Sequence, residues 1–513
     1  SKAGVNLGDT LGKAVTSIGY FSNCNPQHPD CTSDLATMDL AIGAPGESSL
    51  SASNGAFYLL NLSSSEDPIF MTIQGSYDVN RLGISLEAAG DLNDDGYDDL
   101  MVGTQDDYAY VLFGADPGET SRHGILGTDH SSTSATVYVA AEEGEQMGFA
   151  IAGLNQFAGD GTPDIAMGAY GSNQTADGSG RVYVFPQPDH HSTVNLGSFA
   201  DYEWTDGSDD IDGSDDTGAD IMDSWGGDSD ESPTSEDARD PTPPPIWVVE
   251  PDGSGTTQQF GWDIDGITDF NGDGAGDLVI GAPGADFVLQ DSGRMYVVMG
   301  NVPESDPGSG SAEDTGTTTD DIDDFTPIDT EEEYEPGISN WIDATDHIWV
   351  DGKFEGDRLG AMVSDAGDIN GDGLHDIAVS AVGTPTNPTP GRLYIWFGTN
   401  IEFDTSAGTL VEATADLIIE PNDSLGPGNF GFSFSPAGGM LHIADGTVPG
   451  DLDGDGNGDI LIGSPEVAEP GYDSGRVYLV YGSSEFTGTY EIQDLVGDSE
   501  SPASRSTGAI FIG

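Results

Sequence analysis

"FGWDIDGITDFNGDGAGDLVIGAPG", residues 260–284, decides the fold. It opens on a large apolar residue and a Gly, then enters a loop with Asp269, Asn271, Asp273 and Asp277 at alternate or near-alternate positions. The loop delivers straight into the apolar run Leu278, Val279, Ile280, closed by Gly281. Carboxylates held this close repel one another unless a positive charge sits among them. An acidic loop that feeds directly into an apolar run of this length predicts a turn followed by a buried strand.

The same pattern recurs along the chain. "DLNDDGYDDLMVG" starts at Asp91, "DINGDGLHDIAVS" at Asp368 and "DLDGDGNGDILIG" at Asp451. Two weaker copies are "AGDGTPDIAMG", whose loop ends at Asp164, and "SDLATMDLAIG", whose loop ends at Asp39. Upstream of each stands an apolar residue with Gly: "LGKAV", "LGISL", "MGFAI", "FGWDI", "LGAMV" and "FGFSF". Downstream comes an aromatic strand: "GAFYLL", "YAYVLF", "GRVYVF", "GRMYVV", "GRLYIW" and "GRVYLV". A fourth apolar segment closes each unit: "PIFMTI", "ATVYVA", "PIWVVE", "HIWVDG", "ADLIIE" and the terminal "AIFIG". Four strands repeated six times predict an all-β chain, a single β-propeller over residues 1–513 made of four-stranded antiparallel blades. Six blades are expected at 1–75, 76–143, 144–252, 253–352, 353–422 and 423–513, with a seventh hidden in an insertion as the alternative. The final "GAIFIG" reads into the opening segment as "PIFMTIQG" reads into its successor, so the last strand is expected beside the first blade, with strand exchange between molecules as the alternative.

These motifs resemble the FG-GAP repeat family, which builds the β-propeller of integrin α-subunits and of many bacterial and archaeal surface proteins. "FGWDIDGITDFNGDGAGDLVIGAPG" follows the family pattern almost throughout, and "IGAPG" recurs at 42–46. Integrin propellers have seven blades, against the six counted here. The resemblance implies strand-flanked metal loops, a cell-surface or extracellular setting and a binding role.

The loop chemistry points to calcium independently. Calcium takes six to eight oxygens, often from positions 1, 3, 5, 7 (through a carbonyl) and 9 of a tight loop. Four sets fit: Asp91, Asn93, Asp95, Tyr97, Asp99; Asp269, Asn271, Asp273, Ala275, Asp277; Asp368, Asn370, Asp372, Leu374, Asp376; and Asp451, Asp453, Asp455, Asn457, Asp459. Gly at position 6 permits the sharp turn. An EF-hand is excluded, because its twelfth position needs a bidentate Glu and here holds Val102, Ile280, Val379 or Ile462. Magnesium suits the loops less, since it demands a stricter octahedron. About four calcium sites are therefore expected, with Asp160 and Asp164 as a weaker candidate because Gln156 and Ala158 occupy its first and third positions. In the first unit, Cys24 and Cys31 stand where the metal loop belongs and are expected to close a disulfide there.

Composition sets the outer limits. The 513 residues carry 92 acids against 12 bases, a formal charge of −80, which excludes nucleic acid or an anionic membrane as an electrostatic partner. Lys occurs only at 2, 13 and 353, a balance similar to that of proteins from salty media. No apolar run reaches membrane length, so membrane insertion is not expected; a leader removed before Ser1 is. Arg181, Arg294, Arg392 and Arg476 share one repeat position and are expected to pair with nearby carboxylates. Acidic insertions at 188–244 and 301–345 read as solvated loops at a blade rim, with weak further calcium binding as the sharper alternative. Asn61, Asn173 and Asn422 sit in glycosylation triplets.

No nucleophile elbow, zinc motif or phosphate loop occurs, so catalysis is not expected. The expected role is binding, adhesion or self-assembly as a surface or filament protein. Its partners are other surface proteins, glycans or copies of itself. A polysaccharide lyase or hydrolase on the same scaffold is one alternative, to be recognised by convergent acids at the ring's centre, and a calcium-buffering surface protein is another.

Overall fold

The computed structural model describes residues 10–22, 38–48, 54–61, 69–76, 81–93, 95–114, 123–126, 135–140, 143–158, 162–173, 178–185, 193–196, 247–251, 257–286, 289–300, 340–342, 347–382, 391–399, 415–421, 430–436, 450–465, 468–469, 472–473, 475–496 and 508–512. Each of the six repeats forms one antiparallel sheet. Blade 1 is Val15–Ser17, Asp39–Ala44, Ala56–Asn61 and Ile69–Gly75; blade 2 is Leu86–Gly90, Asp99–Gly103, Tyr108–Leu112 and Ala135–Val139. Blade 3 is Ala150–Leu154, Asp164–Gly168, Val182–Phe185 and Trp247–Val249; blade 4 is Ile264–Ile267, Asp277–Ala282, Arg294–Val298 and His347–Asp351. Blade 5 is Leu359–Gly367, Asp376–Ala381, Arg392–Trp396 and Leu417–Glu420; blade 6 is Ser433–Pro436, Ile460–Ser464, Arg476–Val480 and Gly508–Ile512. The six blades make a β-propeller with almost no helix; among the described residues one short helix occurs, Ile492–Val496.

A blade has two apolar faces and cannot bury either alone, so stability resides in the junctions. Five apolar clusters fill them, one for each pair of consecutive blades from 1–2 to 5–6. The glycine that ends the second strand is a spacer in this packing. A Cβ on Gly281 would stand 2.1 Å from the carbonyl oxygen of Gly360 in the next blade, and Gly43, Gly103 and Gly168 meet the carbonyls of Gly83, Gly148 and Gly261 in the same way. Among the described residues no apolar cluster joins blade 6 to blade 1. Gly508–Ile512 pairs with Arg476–Val480 and completes blade 6 as its fourth strand, the place the repeat gave it.

Among the described residues, four blades carry a fifth strand that sequence pattern did not disclose. His123–Leu126 adds in parallel to the outer strand of blade 1, Thr193–Asn195 to blade 2, Asn340–Ile342 to blade 3 and Gly488–Glu491 to blade 5. Each comes from the connection between the third and fourth strands of the following blade. Among the described residues, the acidic insertions at 188–244 and 301–345 each contribute a strand, Thr193–Asn195 and Asn340–Ile342, where the sequence suggested loops. The most acidic stretch, 201–240, lies outside the described residues.

Candidate metal-binding loops

The four acidic loops join the first and second strands of blades 2, 4, 5 and 6 and share one hydrogen-bonded frame. In blade 4 the Asp269 carboxylate accepts from the backbone N–H of Gly272 (2.6 Å), Asp273 (3.1 Å) and Gly274 (3.0 Å). Asn271 Oδ1 accepts from Asp273 N (3.0 Å), and Asp273 Oδ1 accepts from Ala275 N (2.8 Å). Asp91, Asp368 and Asp451 accept from the fifth and sixth residues of their loops in the same way. The sixth residue is Gly at φ 88–94° in all four (Gly96, Gly274, Gly373, Gly456), a left-handed conformation that side chains with a Cβ resist. The chain therefore turns back on itself, aiming the side chains at positions 1, 3 and 5 into one space. In blade 6 carboxylate oxygens of Asp451, Asp453 and Asp459 lie within 4.8 Å of one another.

Position 9 has a second duty that spacing did not reveal. Asp99, Asp277, Asp376 and Asp459 are fully buried, and each joins the loop's start to the end of the third strand. Asp277 Oδ2 accepts from Phe270 N (2.8 Å) and its Oδ1 from Gly300 N (2.9 Å). Asp99, Asp376 and Asp459 repeat both contacts with Leu92 and Gly114, Ile369 and Gly398, Leu452 and Gly482. Burial is the main cause that pushes these carboxyls up, Asp277 to about 7 and Asp376 to about 8, with Asp99 and Asp459 raised as well. The backbone N–H groups oppose the shift, and the other acids of each loop add to it. A dication in the loop would reverse that balance, and an all-oxygen donor set suits a hard one. The ladderless loops keep the loop-start half of this staple: Asp39 Oδ2 accepts from Ser22 N (2.7 Å), and Asp164 Oδ2 from Ala158 N (2.7 Å).

Neighbouring loops are also bonded to one another. The carbonyl of Asp269 accepts from His375 N (3.3 Å), and that of Asp368 from Gly458 N (2.5 Å). The carbonyls of Phe270 and Ile369 accept from Thr399 N and Ser483 N of the next blade, while both side chains are buried in the junction. Order in a loop is thus transmitted to the contact between blades.

The remaining expectations fall as follows. Arg181 pairs with Glu250, Arg294 grips Asp351 through Nε (2.6 Å) and Nη2 (3.0 Å), and Arg392 bonds Glu420 (2.7 Å), each joining third to fourth strand. Arg294 also lies 5.1 Å from the Trp349 ring centre. Asn61 is half-buried at the end of its strand, and Asn173 is exposed with its Oδ1 accepting from Gly178 N. Cys24, Cys31, Asp160 and Asn422 lie outside the described residues.

A second acidic group, dispersed in sequence, meets on the innermost strands. Glu87 of blade 2 and Asp265 of blade 4 occupy the same strand position, with the small Ala152 of blade 3 between them. Burial pushes Asp263 up to about 8, and it raises Glu87 and Asp265 as well, the nearby carboxylates adding to it. These acids are engaged in holding blades together: Asp263 accepts from Val363 N (2.8 Å), while Asp265 accepts from Asp365 N (3.0 Å) and the Ser364 hydroxyl (2.8 Å). Asp365 is in turn 2.7 Å from His375 Nδ1.

Comparison with known proteins bears on the repeats. The FG-GAP repeat pattern matches residues 159–185, 260–298 and 445–480, which fall in blades 3, 4 and 6. The chain is 34% identical over 112 residues, 21% of its length, to integrin alpha pat-2 of Caenorhabditis briggsae, of which the match covers 9%. It is 27% identical over 232 residues, 45% of its length, to phosphatidylinositol-glycan-specific phospholipase D of Bos taurus, and 28% identical over 226 residues, 44% of its length, to that of Rattus norvegicus. Those matches cover 21% and 20% of the two phospholipases. The chain thus spans about a fifth or less of the length of each of these relatives.

Proposed function

We propose that this chain, which carries FG-GAP repeats in three of its six blades, is a calcium-stabilised propeller that works outside the cell as a binding or adhesion scaffold. The observation that carries the reading is the common frame of the four loops. Each gathers oxygens at positions 1, 3 and 5 beside a buried carboxylate at position 9, and two of them are bonded directly to the next loop. Asp91, Asn93, Asp95 and Asp99 would hold one ion with the Tyr97 carbonyl, and the corresponding residues of blades 4, 5 and 6 would hold three more. The ion supplies the positive charge these acids lack, so its binding free energy adds to folding. The likeness to an integrin α-chain favours a binding role and a surface setting. The phospholipase relatives do not carry catalysis over, because the match covers only about a fifth of each. The axial carboxylates accept backbone N–H groups across a junction, a structural use.

The test is thermal unfolding with calcium and with excess chelator. Saturation at one hundred times Kd contributes about 2.7 kcal/mol per site, so chelation is expected to lower Tm by on the order of 10 °C. Calcium titration of the chelated protein is expected to show four sites, and an unchanged melting curve overturns the reading.

A further inference from the structure

We propose that the outer faces of blades 1 and 6 are two halves of one docking surface, and that each is covered by the opposite face of a second copy of this chain. The repeat is broken on these two faces. Leu11 and Val15 of blade 1 are 57% and 55% exposed, whereas the residues at these two positions in the other five blades are 0–9% exposed. On blade 6, Val477 is 41% exposed where all five counterparts are at 0%, and Phe511 is 55% exposed where Ile73, Tyr138, Val249 and Ile419 are at 0–5%. Leu452, second in its acidic loop, is 56% exposed, while Leu92, Phe270 and Ile369 at that position are buried under the next blade.

The backbone agrees with the side chains. Gly83, Gly148, Gly261 and Gly360 each lie so close to the preceding blade that a Cβ would meet its backbone or side chains at 3.0 Å or less; around Gly12 nothing lies within 4 Å. Leu82, Phe260 and Leu359 each form a parallel bridge to the glycine before the preceding blade's third strand, the position Gly475 holds in blade 6. Blade 1 therefore presents the back half of the junction used five times between the blades, and blade 6 presents the front half.

The occupant follows from that complementarity. A face built from these repeat positions fits the partner its five counterparts fit, and every copy of the chain carries that partner. The contact is head to tail: it leaves one free front and one free back on each pair, and so propagates as a closed ring of copies or a filament. Copies of charge −80 repel, so apolar docking of this kind strengthens as salt screens them, opposite to a contact made by paired charges. This deepens the binding role proposed above, rests on it, and names the partner.

Sedimentation velocity of the full chain over a concentration series, at low and high ionic strength in calcium, tests the proposal. Wild type is expected to gain mass in whole-chain steps, more so at high salt. L11E/V15E destroys the back and V477E/F511E the front; because these side chains are already exposed, neither pair touches the five internal cores. Each variant alone is expected to stay a single chain, and an equimolar mixture to stop at a dimer, since one retains a front and the other a back. A wild type that stays a single chain throughout, variants that assemble like wild type, or a mixture without dimers overturns the proposal. A single-chain wild type whose variants both melt lower points to closure within one molecule and overturns it too. Melting curves with and without calcium on the same samples separate the two readings. A single chain that keeps its calcium shift overturns the docking contact and leaves the scaffold in place. Assembly without a calcium shift supports the contact and overturns the calcium reading.

Discussion

Asp277 accepts from two backbone N–H groups, of Phe270 and Gly300, at a fully buried site. Asp277→Ala leaves both donors stranded in a buried site, and a loss of about 2–4 kcal/mol is expected in urea unfolding. The loss should persist in chelator, because the staple operates without an ion. Asp273→Ala, at an exposed ladder position, is expected to weaken calcium binding while costing little in chelator. Comparing the two in calcium and in chelator therefore separates the buried carboxylate's two duties. Spacing disclosed position 9 as a ligand but hid the staple. The acceptor's partners, Gly114, Gly300, Gly398 and Gly482, stand fifteen to twenty-three residues downstream in no fixed register.

Strands and junctions were legible wherever they repeat. The Asp followed by three apolar residues marks each second strand, and the glycine after them proves to be the point where the next blade's backbone comes closest. Gly281→Ala drives a Cβ into the Gly360 carbonyl and is expected to cost about 1–3 kcal/mol in urea unfolding. The same change at Gly463 of blade 6 meets the Ser433 hydroxyl at 2.4 Å, a side-chain group that can turn away, and the Ser433 carbonyl at 3.3 Å, and should cost less. The parallel fifth strands were illegible because they are three or four residues long and sit in connections with no period of their own. The axial acids were hidden for a different reason: Glu87 and Asp265 are 178 residues apart in sequence and come together only through the packing of successive blades.

At the scale of the whole molecule, the axial acids set a pH response. Glu87, Asp263 and Asp265 are raised above the ordinary carboxyl range, so the folded chain holds protons there that the unfolded chain gives up. Their contribution to stability is full below about pH 4 and is lost as pH rises through about 7 to 8. In calcium-saturated protein, Tm is expected to fall between about pH 5 and 9 from these groups, and Glu87→Gln should flatten the decline. A Tm that rises across this range in wild type would contradict that assignment. Charge and composition were silent on the seam between blades 6 and 1. Leu11 and Phe511 are ordinary apolar residues in sequence, and only their missing neighbours distinguish them.

The borrowed fifth strands bear on how the polypeptide matures as it leaves the ribosome. The outer edge of blade 1 receives its last strand from residues 123–126, and that of blade 3 from residues 340–342, well inside the following unit. Blades 1, 2, 3 and 5 thus remain unfinished at the rim until most of their successors have been synthesised, so folding trails translation by nearly one repeat. Each newly made unit locks the one before it, and a ribosome stalled in mid-repeat leaves the preceding edge open to aggregation.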